Sequence, residues 1–85
     1  MLIRSQNKAI LLNFSNWAAI YIVKDGDNFI ISSLEGENKC TLGKYSTKAK
    51  AMKVLNMIQE AYCKFMSWDG KESAFCMPED SEVEV

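Results

Sequence analysis

Two spacings of apolar residues divide the chain into a helical part and a strand part. Between positions 47 and 66, apolar side chains recur at intervals of three and four residues, which places them on one face of an α-helix. They are Ala51, Val54, Leu55, Ile58, Tyr62 and Phe65. Polar residues fill the opposite face, and the hydroxyl of Ser46 or Thr47 can cap the first turn. The pattern predicts one amphipathic helix that packs on a sheet.

Before the helix, short apolar runs alternate with turn residues. The turns Asp25-Gly26-Asp27-Asn28 and Glu35-Gly36-Glu37-Asn38 favour tight hairpins, because Gly, Asn and Asp tolerate positive φ. The run from Trp17 to Lys24 is rich in aromatic and β-branched residues, and we expect it to be the central strand. In all, the pattern predicts strands at 2–4, 9–13, 17–24, 29–33 and 40–45, and a possible short last strand at 73–77.

The predicted fold class is α+β, with an antiparallel meander of about five strands packed on one C-terminal amphipathic helix. Short loops favour antiparallel neighbours. Residues 1–78 are expected to form a single domain, and residues 79–85 an acidic C-terminal tail. The strand at 17–24 is apolar on both sides, so the second sheet face is covered either by a partner or by loops and the segment 66–77.

Length and charge narrow the class of function. A chain of 85 residues has room for one thin core, so we do not expect a deep active-site cleft within a single subunit. A homo-oligomer is expected instead. Of its eleven acidic residues four lie in the tail, so seven acidic residues oppose ten basic ones in 1–78. Extended nucleic-acid binding is disfavoured because Arg4 is the only Arg. The body is mildly basic and the tail acidic.

The residues that usually carry catalysis or bind metals are missing or isolated. The chain has no His, and its three cysteines, Cys40, Cys63 and Cys76, form no C-x-x-C pair. We therefore expect no enzyme activity, no metal site and no cofactor, and interpret the cysteines as buried thiols of a reducing compartment. The start lacks a signal-peptide pattern and no apolar run is long enough for a membrane helix, which predicts a cytoplasmic protein.

Two charged features remain as candidate binding elements. The first is a group of lysines around the predicted helix start: Lys39, Lys44, Lys48, Lys50 and Lys53. They predict either an anion site at the helix N-terminus or simply a solvated helix face. The second is the acidic tail, which could add to a neighbour's sheet or meet a basic partner, although a frayed terminus is the simpler expectation.

Four segments of the sequence form a recognisable set: 1–6 (MLIRSQ), 42–47 (LGKYST), 51–59 (AMKVLNMIQ) and 77–85 (MPEDSEVEV). Together they resemble short uncharacterised proteins encoded by Gram-positive gut anaerobes and by their phages and mobile elements. The resemblance implies a genomic setting in which small non-enzymatic proteins counter host defence. They do so by sequestering a nucleotide signal or by blocking a defence protein.

Each role implied by the resemblance would use different residues. Sequestration would need cations for phosphates and aromatic rings for a base, and the candidate ligand-binding residues are Arg4, Trp17, Tyr21, Lys44 and Lys48. Inhibition would use exposed apolar residues and the acidic tail, and the candidate partner contacts are Trp68, Met77, Glu79, Asp80, Glu82 and Glu84. A structural or regulatory subunit would need neither set.

Overall fold

The computed structural model describes residues 2–14, 19–67 and 74–84. Its strands are β1 (Leu2–Arg4), β2 (Leu11–Asn13), β3 (Ala19–Asp25), β4 (Asn28–Glu35), β5 (Asn38–Tyr45) and β6 (Ala74–Cys76). The α-helix α1 (Lys48–Ser67) lies between β5 and β6, and a 3-10 helix (Asp80–Glu82) follows β6. The predicted α+β class, with a helix packed on a sheet, is confirmed.

Strands β3, β4 and β5 form one antiparallel sheet in that order. Both hairpins have a glycine at the first of two turn residues, Gly26 with φ 61° and Gly36 with φ 63°. A positive φ at this position is what a type II′ hairpin turn requires, and glycine adopts it without strain. The two turn signals in the sequence therefore form the hairpins that they predict.

Strand order differs from the prediction in the placement of the central strand. The segment predicted at 17–24 supplies β3, which lies at the side of its sheet, and β4 occupies the middle. Trp17 itself lies outside the described residues. Strand β4 contains the adjacent buried serines Ser32 and Ser33, whose hydroxyls make it look less like a central strand than the apolar β3 does. Apolar content alone does not determine which strand acquires two neighbours.

The first hairpin belongs to a separate sheet rather than to the single predicted meander. This sheet has the order β2-β1-β6. Strand β1 pairs with β2 in antiparallel fashion and with β6 in parallel, with Leu2 opposite Ala74 and Arg4 opposite Cys76. A parallel neighbour must come from a distant part of the chain. Loop lengths between consecutive strands therefore could not predict it.

The hydrophobic core lies between α1 and the two sheets. On the helix, Ala51, Val54 and Ile58 are fully buried, and Leu55 and Tyr62 are half-buried, as the apolar spacing predicts. The buried core as a whole comprises Ile3, Ile31, Leu42, Tyr45, Ala51, Val54, Ile58, Met77 and Val83. Its members come from both sheets, the helix and the C-terminal segment, so one core joins all the elements.

Later in the helix, an aromatic pair links α1 to the first hairpin. The rings of Phe14 and Tyr62 meet edge to face, with centroids 5.3 Å apart and planes at 75°. This is a favourable arrangement of aromatic quadrupoles.

The interpretation of all three cysteines as buried thiols is wrong for two of them, because Cys63 and Cys76 are exposed and Cys40 is half-buried.

Candidate functional site

The sheet of β3, β4 and β5 has one face that does not pack on α1. Strand alternation and register, with a β-bulge that shifts the alternation of β5 between Thr41 and Gly43, place a set of residues on this helix-free face. They are Ala19, Tyr21 and Val23 of β3, Ile30, Ser32 and Leu34 of β4, and Lys39, Thr41 and Lys44 of β5. Tyr21 lies opposite Ser32, and Ile30 lies between Val23 and Lys44. An aromatic residue, an apolar strip and two lysines thus share one surface.

Exposure on the helix-free face is lowest along the middle strand β4, where Ile30 and Leu34 are half-buried and Ser32 is buried. Lys39, Thr41 and Lys44 are exposed, and Val23 is 43% exposed. Tyr21 is half-buried, so one part of its side chain is available to a ligand and the rest is supported by its neighbours. The arrangement can offer a ring for stacking and ammonium groups for an anion.

A shallow pocket lies beside the helix-free face, at the edge of β5. Its volume is 160 Å³, and it is lined by Gln6, Asn7, Thr41, Leu42, Gly43 and Lys44. Thr41 and Lys44 belong to both the pocket and the helix-free face. A ligand group bound near Lys44 would therefore have polar side chains on two sides.

The side chain of Gln6 forms the wall between this pocket and the C-terminal segment. The backbone N–H of Gln6 donates to the carbonyl of Leu42 at 2.7 Å. Its side-chain Oε1 accepts from the backbone N–H of Lys44 at 3.0 Å, and Nε2 donates to the Lys44 carbonyl at 3.1 Å. The side-chain amide of Gln6 therefore pairs with β5 as the backbone of another strand would. It connects the turn after β1 to the sheet of β3, β4 and β5.

The carbonyl of Pro78 attaches the C-terminal segment to Gln6 and to β5. It accepts from Gln6 Nε2 at 3.2 Å and from the hydroxyl of Tyr45 at 2.7 Å. Tyr45 is fully buried, and burial raises the pKa of its hydroxyl, with a further contribution from the negative charges of Glu79, Asp80 and Glu82. The phenol therefore stays protonated and acts as the donor.

Gly43 makes room for the buried ring of Tyr45. A Cβ at position 43 would lie 3.1 Å from both Cε2 and the hydroxyl oxygen of Tyr45, and 3.4 Å from Cβ of Gln6. The two distances to Tyr45 are shorter than ordinary carbon contacts. A Cβ at this position would therefore crowd the ring whose hydroxyl holds Pro78.

The carboxylate of Asp80 occupies the space at the start of α1. Its Oδ1 accepts from the backbone N–H of Ser46 at 2.8 Å and from the Ser46 hydroxyl at 3.1 Å, and Oδ2 lies 3.6 Å from Nζ of Lys50. The backbone bond from Ser46 is the largest cause of the lowered pKa of Asp80, and the Lys50 charge lowers it further. Thr47 caps the helix by accepting from the Lys50 N–H at 3.1 Å.

These contacts correct the expectation of a frayed tail. Residues 79–84 follow a defined path along the start of α1: Val83 is buried, and Nζ of Lys53 donates to the carbonyl of Glu84. Glu79 donates its N–H to Oε1 of Glu82 at 2.8 Å, which closes the 3-10 turn. A carboxylate of the same chain, that of Asp80, thus lies at the helix start, where the helix dipole favours a negative charge.

The predicted partner contacts that the structure describes fall into three groups. Met77 was expected to be an exposed contact residue, which is wrong, because it is 1% exposed and lies in the core. Asp80 is engaged with Ser46 and Lys50. Glu79, Glu82 and Glu84 are exposed. Trp68 lies outside the described residues.

The predicted ligand-binding residues are only partly brought together. Tyr21 and Lys44 share the helix-free face. Arg4 is exposed on the other sheet, where its guanidinium donates to the Lys8 carbonyl from Nε at 3.4 Å and from Nη2 at 3.3 Å. Lys48 is exposed at the first residue of α1. Lys39 was predicted only as a member of the lysine group around the helix start, and Thr41 and Gln6 were not predicted. A β-bulge in the pairing of β5 with β4 brings Lys39 and Thr41 onto the face of Lys44.

The four sequence segments that carry the resemblance converge in space. Gln6 of the first segment, Lys44, Tyr45 and Ser46 of the second, and Pro78 and Asp80 of the last form one hydrogen-bonded cluster, and Ala51 and Val54 of the third lie in the core beside it.

Comparisons with known proteins add no family to these observations: no family model, curated protein or solved structure matches the chain. Within residues 2–14, 19–67 and 74–84, no group of three or more His, Cys, Asp or Glu side chains is placed to hold a metal ion. In the described part of the chain no helix is both long and apolar enough to cross a membrane.

Proposed function

We propose that this protein is a small non-enzymatic binding module that captures a nucleotide on the helix-free face of the sheet formed by β3, β4 and β5. The observation that carries the proposal is the placement of Tyr21 on the same face as Lys39 and Lys44. A nucleotide has a flat base and a charged phosphate, which match an aromatic ring and ammonium groups. Sequestering a signalling nucleotide in the cytoplasm, in the service of a phage or mobile element, is the role that such binding would serve.

The binding energy would come from stacking and from charge-assisted contacts. An aromatic side chain that stacks on a base contributes about 1–3 kcal/mol. Exposed lysines contribute less individually and make the affinity dependent on salt. Affinity should therefore respond most strongly to Tyr21 and should fall as ionic strength rises.

A single sheet face leaves most of a ligand in water, whereas small-molecule sites usually bury most of the ligand surface. A second copy of the chain, placed over the same face, would enclose the nucleotide from the other side. The proposal therefore includes a homo-oligomer, with the ligand between subunits.

The test is an isothermal titration calorimetry experiment in which the purified protein is titrated with mononucleotides, cyclic mononucleotides and cyclic dinucleotides. Tyr21→Ala should weaken binding at least about tenfold, which corresponds to roughly 1.4 kcal/mol, and Lys44→Ala about two- to fivefold, because an exposed ammonium group contributes less. Lys24→Ala is a matched control, because Lys24 is exposed on the same strand as Tyr21 but alternation places it on the other face. Equal losses in Lys24→Ala and Lys44→Ala would reject the face as the site.

A second function, inhibition of a host protein, is favoured by the order of the C-terminal segment. Glu79, Glu82 and Glu84 are exposed on a backbone that Ser46, Lys50 and Lys53 hold in place. A fixed set of carboxylates complements a basic partner better than a frayed tail does, because less entropy is lost on binding.

This alternative makes a separate prediction. The double variant Glu79→Gln, Glu84→Gln should lose salt-sensitive capture of a basic host protein, whereas Glu37→Gln in the β4–β5 turn should retain it. Capture that survives the double variant would exclude these carboxylates as the contact. Glu82 is left unchanged because its Oε1 accepts from the Glu79 N–H.

A further inference from the structure

We propose that the groove along the end of β5 and the first turns of α1 is a peptide-binding site. Its occupant in another polypeptide would be an acidic segment with the pattern apolar-x-x-Asp-x-x-apolar. In this structure residues 77–84 of the same chain fill the groove. The inference goes beyond the proposed function, because it concerns a different surface and a different class of partner.

The apolar anchors define the ends of the recognised pattern. Met77 is 1% exposed and Val83 is 5% exposed, and both belong to the buried cluster that contains Tyr45, Ala51 and Val54. Between them, Glu79, Ser81 and Glu82 are exposed. A short segment with two buried anchors and a solvent-facing middle is the usual form of a linear peptide in its groove.

Asp80 supplies the third recognised feature, midway between the anchors. Its carboxylate accepts both donors of Ser46 and lies 3.6 Å from Nζ of Lys50. These groups stand at the N-terminal end of α1, where the helix dipole also favours a negative charge. The position therefore selects for an acidic residue three places from each anchor.

The remaining polar contacts of the groove go to the main chain of the bound segment. The hydroxyl of Tyr45 and Nε2 of Gln6 donate to the Pro78 carbonyl, at 2.7 and 3.2 Å. Lys50 Nζ donates to the Asp80 carbonyl at 3.1 Å, and Lys53 Nζ donates to that of Glu84. Every peptide has carbonyl groups, so these hydrogen bonds do not discriminate between sequences. Any segment that presents the three features can make them.

The groove is built from residues outside the segment that fills it. Gln6, Tyr45, Ser46, Lys50 and Lys53 all lie outside residues 77–84, and the side chain of Gln6 is also held to β5 by two hydrogen bonds with Lys44 that do not involve the segment. The side chains of Lys50 and Asp80 are 22% and 39% exposed, and an ion pair in contact with water stabilises only weakly. The covalent connection, which gives an effective concentration in the millimolar range, keeps the chain's own segment in place.

The experiment uses the full chain and a synthetic peptide of residues 77–84, labelled at its amino end and amidated at the other. Fluorescence anisotropy compares the wild-type chain with the Asp80→Ala chain, whose own segment is weakened while the groove is unchanged. The peptide should bind the Asp80→Ala chain saturably and the wild-type chain at least about tenfold more weakly, because the wild-type segment competes. A peptide that carries Asp80→Ala should bind the variant chain at least about tenfold more weakly than the wild-type peptide.

Two results would overturn the proposal. One is the absence of saturable peptide binding to an Asp80→Ala chain that still unfolds cooperatively. The other is equal binding of the two peptides, which would show that the carboxylate is not recognised. If Asp80→Ala does not fold, the full-length Val83→Ala chain replaces it, since that change weakens a different anchor of the same segment. The same two results decide the outcome with this variant.

Discussion

The carboxylate of Asp80 accepts two hydrogen bonds from Ser46, one from the backbone N–H at 2.8 Å and one from the hydroxyl at 3.1 Å. Ser46 lies just before α1, and Asp80 begins the 3-10 helix near the other end of the chain. A single acidic residue thereby connects the C-terminal segment to the start of the helix, and the stability of the protein should depend on its charge.

The first prediction concerns pH. The pKa of Asp80 is lower in the folded protein than its usual value of about 3.9. A lowered folded-state pKa stabilises the fold fully above the unfolded pKa, and this contribution is lost as pH falls through the folded one. The wild type should therefore lose more stability than Asp80→Asn between about pH 5 and pH 3.

Urea unfolding across this range measures the difference, and Asp80→Asn is the control because all other carboxylates are unchanged in it. The two curves of unfolding free energy against pH should converge as the pH falls. Parallel curves would mean that the charge of Asp80 does not contribute to the fold.

The second prediction concerns Gly43. The change Gly43→Ala places a Cβ 3.1 Å from the Tyr45 ring and should destabilise the protein by about 1–3 kcal/mol, the usual effect of overpacking. Thermal or urea unfolding measures the loss. Because the hydroxyl of Tyr45 is one of the two crowded atoms, the loss should be smaller in a Tyr45→Phe background. An equal loss in both backgrounds would show that the hydroxyl is not part of the clash.

The third prediction concerns the amide of Gln6. Gln6→Ala removes three side-chain hydrogen bonds, to Lys44 N–H, Lys44 carbonyl and Pro78 carbonyl, and should destabilise the fold by about 1–2 kcal/mol. Gln6→Glu should destabilise it more at pH 7, because the new carboxylate oxygen would face two carbonyl oxygens. Denaturant midpoints of the two variants test this order. A Gln6→Glu chain as stable as the wild type would contradict the pairing.

The fourth prediction concerns Lys8, which has a positive φ of 67° although it is not a glycine. The left-handed conformation strains L-residues with a Cβ, so Lys8→Gly should stabilise the protein by about 0.5–1 kcal/mol. Lys8→Ala is the control, since it removes the long side chain but keeps the Cβ. Differential scanning calorimetry should show a higher Tm for Lys8→Gly only. A similar rise in Lys8→Ala would assign the effect to the side chain.

Local sequence signals predicted the elements well because each reflects a local physical requirement. The three- and four-residue spacing of Ala51, Val54 and Ile58 gave the helix, and Gly26 and Gly36 gave the two hairpins. By contrast, the pairing of β1 with β6 depends on contacts between residues about 70 positions apart, and no local pattern encodes such a neighbour.

The candidate sites were predicted in part for the same reason. Alternation on β3 places Tyr21 with Ala19 and Val23, but Lys44 shares the face of Lys39 and Thr41 only because a β-bulge shifts the register of β5 against β4, and sequence alternation does not show that bulge. The burial of Met77 and the docking of Asp80 depend on the shape of a groove made by distant residues. Charge composition made the C-terminal segment look like a solvated tail, whereas two apolar anchors and the donors of Ser46 decide its position.

The parallel pairing of β1 with β6 has a consequence for synthesis on the ribosome. Strand β1 has its antiparallel neighbour within a few residues, but its other edge stays open until Cys76 has left the exit tunnel. During that interval the nascent chain presents an unpaired strand edge, which is the state in which chains associate wrongly or recruit chaperones.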